Sequence, residues 1–134
     1  MASLLHQQIR KRANNACEYC HLQEAFSGLK FHIEHITAKQ HARDDTLANL
    51  ALACGFCNRH KGPNIAGIDP DSNNLTRLFH PRLDGWNDHV RWRGARLVGL
   101  TDVGRATVAV LAMNHPLQVA TRQLWIEAQG QLLP

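Results

Sequence analysis

The sequence predicts an α+β fold: a strand-strand-helix unit held together by a four-cysteine zinc site, followed by a β-hairpin and two helices. Two Cys-x-x-Cys pairs, Cys17/Cys20 and Cys54/Cys57, are separated by 33 residues. An ordinary four-cysteine ribbon leaves roughly 15 to 20, so a structured segment is inserted between the two knuckles. Apolar runs of strand length lie inside that insertion, and beyond a Gly- and Pro-containing stretch the pattern turns to a hairpin and then to helical spacing.

The elements follow in order. Leu4, Leu5 and Ile9 recur at helical spacing, which predicts a short helix over 3–13 leading into the first cysteine pair. Residues 29–36 are rich in Ile and Phe and read as a strand ending near His35 or Ile36. Polar residues 39–46 read as a loop, and 49–53 as a second strand. The Cys54 to Cys57 turn then feeds a short helix that Gly62 and Pro63 end. Residues 64–74 read as a connector. Two strands are expected over 89–92 and 96–100, and Thr101 with Asp102 as the N-cap of a helix whose stripe is Val103, Ala106, Val110 and Met113. Asn114 to Pro116 breaks it, and a last helix over 117–129 carries Leu124 and Trp125.

A chain of 134 residues can bury one core without disulfides. We expect a single domain over 1–134: an N-terminal helix in 1–16, the strand-strand-helix motif in 17–62, and a C-terminal extension in 63–134. The first 16 residues lack an apolar stretch ending in a small-residue cleavage site, and no apolar run approaches the about 18 residues of a membrane span. These features point to a cytoplasmic protein with no membrane partner, where paired cysteines hold metal more readily than they form disulfides. The formal charge of +4 falls to +2 when four thiolates bind one Zn²⁺. Basic residues recur at 10–12, 59, 61, 91, 93, 96 and 105, compatible with phosphate contacts spread over one face or with a solvated surface.

The run Cys17-x-x-Cys20, then Ile33, Glu34, His35 and Ile36, then Ala48, Asn49 and Leu50, then Cys54-x-x-Cys57 followed by Asn58, Lys61 and Gly62 resembles the HNH endonuclease family in its zinc-braced form. The resemblance covers 17–62 and implies a ββα-metal core. A weaker likeness, carried by Leu78 to Arg82, Trp86 to His89, Gly99 to Thr101 and Gly104 to Thr107, extends to the C-terminal part of a group of bacterial HNH proteins. By this resemblance Cys17, Cys20, Cys54 and Cys57 hold structural zinc, His35 is the general base, and Glu34 and Asn58 bind the catalytic metal. Asn49 is then the residue that fixes the loop presenting the base.

The chemistry suits those residue types. Phosphodiester hydrolysis needs a deprotonated water and a cation to neutralise charge on the phosphate, and an imidazole titrating near neutrality can take the proton. A carboxylate with an amide oxygen favours Mg²⁺ or Mn²⁺ over a second zinc. The implied reaction is DNA hydrolysis leaving 5′-phosphate and 3′-hydroxyl ends. A non-catalytic zinc-finger module that binds nucleic acid and an RNA-directed nuclease are the alternatives, and no oligomer interface is marked.

Arg59 and Lys61 are candidate phosphate contacts. His32, on the same strand face as Glu34, is a ligand or substrate contact or else a packing or hydrogen-bonding residue, and Trp86 and Trp92 are either core or base-stacking residues. Three features depart from the family pattern: Glu34 stands where Asp is commoner, Thr37 to Asp45 replace a Pro and Gly-Gly loop, and Asn58 replaces His. Adjacent residues of a regular strand point to opposite faces, so periodicity alone does not bring Glu34 and His35 together.

Overall fold

The structure is a computed structural model that describes residues 3–130. Helix α1 (Leu4–Arg12) begins where the Ser3 side chain accepts from the His6 amide at 3.1 Å, and its last turn carries Arg10, Lys11 and Arg12, the charge that suits a helix C-terminus. Ile9 is its buried anchor. Arg10 and Arg12 are engaged by the protein's own acceptors, Arg12 from an exposed position. Arg10 pairs with Glu24 at 2.6 Å, while Arg12 donates to the carbonyls of Leu47 and Leu50. A one-turn helix, α2 (Glu24–Ser27), follows the first knuckle and stops at Gly28, whose φ of 72° favours glycine.

Strands β1 (His32–His35) and β2 (Leu50–Ala53) pair antiparallel, with His32 opposite Ala53 and His35 opposite Leu50. All four residues of β2 are buried because the pair is covered on both sides: α1 meets β2, and α3 (Gly55–Lys61) meets β1. A 3-10 turn over Leu47–Asn49 delivers the chain into β2. Gly62 ends α3, as expected.

The segment expected as a connector contains a strand. Ala66–Ile68 (β3) pairs antiparallel with Leu75–Arg77 (β4), and α5 (Asp102–Val110) packs against both. Three-residue strands are too short to show alternation. What organises the turn between them is Asp69, which accepts from the Asp71 amide at 3.0 Å, from Ser72 Oγ at 2.8 Å, and from Arg105 through two bonds of 2.9 Å. A Cβ on Gly67 would run into Val110, so glycine there admits α5 onto the hairpin.

A short helix α4 (Trp86–His89) leads into β5 (Val90–Arg93), which pairs with β6 (Arg96–Gly99). Thr101 then caps α5 (Asp102–Val110), its hydroxyl accepting from the Gly104 amide at 3.0 Å. Helix α5 ends at Val110, so Met113, expected on its stripe, is buried from the following turn, where Ala112 takes a φ of 49°. Helix α6 (Pro116–Gln129) opens on proline and closes at Gly130. Its Trp125 is buried and stacks on Phe26 at 5.5 Å, whereas Leu124 is exposed. Trp86 donates from Nε1 to the Tyr19 carbonyl at 2.8 Å and packs against the core, as does Trp92. One buried cluster thus runs from Ile9 through the strand pair to Trp125. Among the described residues no helix is long and apolar enough to cross a membrane.

Candidate active site

The two knuckles meet. Cys17, Cys20, Cys54 and Cys57 are all buried, with ligand atoms within 4.8 Å of one another, and none is in a disulfide. Cys20 and Cys54 Sγ stand 3.8 Å apart, and two sulfurs at about 2.3 Å from a tetrahedral Zn²⁺ are separated by about 3.8 Å. The Cys57 amide donates to Cys54 Sγ at 3.3 Å and the Cys20 amide to Cys17 Sγ at 3.5 Å, so each turn stabilises its own thiolate. Four soft donors in a closed shell fit structural zinc and leave no position for substrate.

The first knuckle also reaches the strand pair. Tyr19, between its two cysteines, is buried and donates its hydroxyl to Glu34 Oε1. The other carboxylate oxygen, Oε2, pairs with Lys61 Nζ at 3.3 Å, and Lys61 also donates to the Ile36 carbonyl at 2.8 Å. Burial pushes the Glu34 carboxyl above its usual range, and Lys61 and Tyr19 pull it back. Burial also pushes the Tyr19 phenol upward, with the Glu34 charge adding to the shift. Lys61, expected as a phosphate contact, is only 1% exposed. Its position corrects that expectation, because α3 turns the side chain inward under the end of β1, where it neutralises Glu34.

His32 shares the Glu34 face of β1. It is exposed, and its ring lies over Gly55 at the start of α3. Gly55, Asn58 and Lys61 recur every three residues along α3, so they share the helix face that meets β1. Asn58 is half-buried on that face, and among the described residues its side-chain amide has no hydrogen-bond partner. Arg59 is exposed, with its guanidinium 6.0 Å from the Phe56 ring.

His35 points the other way. Its Nε2 donates to Asp45 Oδ1 at 2.6 Å, and this bond holds the Asp45 carboxyl below its ordinary range. The 37–45 loop that carries Asp45 is fixed by Asn49. Its Oδ1 accepts from the Thr37 amide at 2.9 Å, and its Nδ2 donates to the carbonyls of Thr37 at 3.0 Å and Asp44 at 2.8 Å. The backbone continues this clamp, since the Ile36 amide donates to the Asn49 carbonyl at 2.8 Å.

The structure therefore brings Glu34, His32 and Asn58 to the β1–α3 interface, while His35 stands on the opposite face beside the Asn49-clamped loop. Sequence reasoning missed Tyr19 and Asp45. Tyr19 had a signal, being a large polar-tipped ring inside a knuckle, but Asp45 lay in a stretch read only as loop.

The comparisons agree with this geometry. Residues 17–64 match the family model of the HNH endonuclease. No curated protein and no solved structure matches the chain. With two knuckles closing a four-cysteine cluster around a β-β-α unit, the segment 17–64 is similar to the HNH endonuclease family.

Proposed function

We propose that the protein is a metal-dependent endonuclease that hydrolyses DNA phosphodiester bonds, with residues 1–134 working as one unit of N-terminal helix, 17–62 motif and 63–134 extension. The observation that carries this reading is the presentation of His35. Three side-chain bonds from Asn49 hold the 37–45 loop against the end of β1, and Asp45 of that loop takes the His35 Nε2 proton in a hydrogen bond. The neutral imidazole then keeps its lone pair on Nδ1, the nitrogen free to deprotonate a water.

Glu34 and Asn58 are the residues that would hold the divalent ion. Their donor chemistry, one carboxylate and one amide oxygen, fits Mg²⁺ or Mn²⁺. Each Glu34 oxygen accepts one protein contact and keeps a second lone pair, and the Asn58 amide has no protein partner among the described residues. A bound ion would neutralise charge building on the phosphate and on the departing 3′ oxygen, which requires the scissile phosphate to sit at the end of β1, where the Glu34 and His35 faces meet. Tyr19 and Lys61 hold the Glu34 carboxylate in place, and Asn49 holds the loop.

The test is supercoiled plasmid incubated with Mg²⁺, with Mn²⁺ and with neither, using wild-type and His35→Ala protein. Loss of a general base lowers the rate by about 10²- to 10⁴-fold, so metal-dependent nicking should all but vanish in the variant. A second reading, a non-catalytic zinc-finger module that binds nucleic acid, draws on one observation: Glu34 is already neutralised by a buried lysine. That reading predicts intact zinc, measurable DNA binding and no nicking with either metal.

A further inference from the structure

A groove of about 550 Å³ opens between α1 and β1, lined by both His32 and His35. Its floor is Phe31, Ile33 and Leu50, and its rim carries His6, Lys30, His32, His35 and Lys39, with Asp45 beside His35. Several of the cations that the sequence offered in and beside the motif are engaged. Lys61 is buried on Glu34, Arg10 is held by Glu24, Arg12 by two carbonyls, and Arg59 lies over Phe56. Lys30 and Lys39 are different, because both are exposed and, among the described residues, neither makes an ion pair within 4.0 Å. They stand at separate ends of the groove, one before β1 and one in the clamped loop beyond it. From His32 to His35 the strand covers roughly 10 Å at about 3.3 Å per residue. A nucleic-acid strand advances about 3.4 Å along its axis per phosphate, so this length spans several phosphates.

We infer that this groove is the track of one DNA strand, with Lys30 and Lys39 holding its phosphates at the two ends and His6, His32 and His35 lining the path. The inference rests on the endonuclease reading for the choice of DNA as the ligand. It assigns substrate contact to Lys30, Lys39 and His6, and moves it away from the end of α3. Phosphate contacts of this kind give affinity without sequence preference and make binding salt-dependent.

The test measures binding without cutting. Zinc-loaded His35→Ala protein is titrated against a fluorescein-labelled 20-base-pair duplex by anisotropy over a series of salt concentrations. Adding Lys30→Ala and Lys39→Ala should weaken binding by about tenfold or more at 0.1 M salt and flatten the slope of log K against log salt by roughly 1.8, two phosphates at about 0.9 each. Adding Arg91→Ala and Arg93→Ala on β5 should change neither. An unchanged slope in the lysine variant, or a loss that follows the β5 arginines instead, overturns the inference. The same substitutions in protein with His35 intact separate the two readings. If plasmid nicking persists at wild-type rate in the Lys30→Ala/Lys39→Ala variant with an unchanged salt slope, the groove fails and the nuclease stands. If binding depends on the two lysines but the wild type cuts nothing with either metal, the groove stands as a binding track and the nuclease reading fails.

Discussion

Replacing Lys61 by methionine isolates the charge that closes over Glu34. The ammonium lies 3.3 Å from Glu34 Oε2 and 2.8 Å from the Ile36 carbonyl, and the paired side chains are 2% and 5% exposed. Methionine keeps most of the stem volume, so no sizeable cavity opens and the cost is electrostatic. Breaking a buried pair by removing one partner costs about 3–5 kcal/mol, a range that already includes much of the about 1–3 kcal/mol for an orphaned carbonyl. Glu34 can relieve part of this by taking a proton. Burial already pushes its carboxyl up against the opposing pull of Lys61 and Tyr19, and without Lys61 it rises further. A carboxyl whose folded pKa exceeds its unfolded value of about 4.3 contributes stability that is complete below that value and lost as pH rises through the folded one. The variant should therefore lie nearest the wild type in mild acid and fall furthest behind above neutrality. Thermal unfolding by circular dichroism, at fixed excess zinc so that metal linkage is constant, should show a loss of roughly 10–20 °C at pH 8 and less at pH 5. Adding Glu34→Gln should restore most of it. A loss under about 1 kcal/mol at pH 8, or no recovery in the double variant, would refute the buried pair as the element that holds this corner.

Zinc removal should unfold the motif, because the four cysteines join segments 33 residues apart and metal binding is folding free energy in such units. Cys54→Ser should release zinc to a chromogenic chelator and lose near-ultraviolet dichroism under conditions where the wild type keeps both. Thr101→Ala removes the cap on the Gly104 amide and the partner of His89 Nδ1 at 2.7 Å, and should cost about 1 kcal/mol in urea midpoint analysis at constant zinc, with Thr101→Ser near wild type. Asp84 accepts from Arg77 and from the His80 amide, and the Arg77 bond leads in holding its carboxyl below the usual range. Its contribution is present above about pH 3.9 and disappears as pH falls through the depressed folded value. An acid titration followed by tryptophan fluorescence should therefore unfold Asp84→Asn with a shallower pH dependence than the wild type.

The zinc brace was legible because thiolate chemistry restricts what two Cys-x-x-Cys pairs can be, and the paired strands were legible because β2 is apolar at every position. The α5 cap was legible for a similar reason, since a threonine before an acidic residue has few better uses. Other features were hidden by context. Lys61 reads on paper as a surface cation in a basic run, and only the turn of α3 beneath β1 buries it. The β3–β4 hairpin is hidden because its strands are three residues long and its turn is fixed by Arg105, 36 positions beyond Asp69. Met113 fits a helical stripe, but the helix ends before it and the next turn buries the same residue from another direction.

The pair Glu34 and His35 shows where pattern and chemistry part. Strand alternation sends them to opposite faces, and the structure keeps that alternation up to His35. Each face then has its own support. Glu34 is held through Tyr19 by the first zinc knuckle and through Lys61 by the helix that grows from the second. His35 is held through Asp45 and Asn49 by the loop. Two supports of independent origin imply separable failures. A change in the knuckle should disturb the carboxylate before the imidazole, and a change at Asn49 should do the reverse while leaving the zinc in place. Metal affinity and DNA affinity measured on Tyr19→Phe and Asn49→Ala should diverge accordingly. If both variants lose the same property to the same degree, the two faces are one cooperative unit and the division drawn from the strand does not hold.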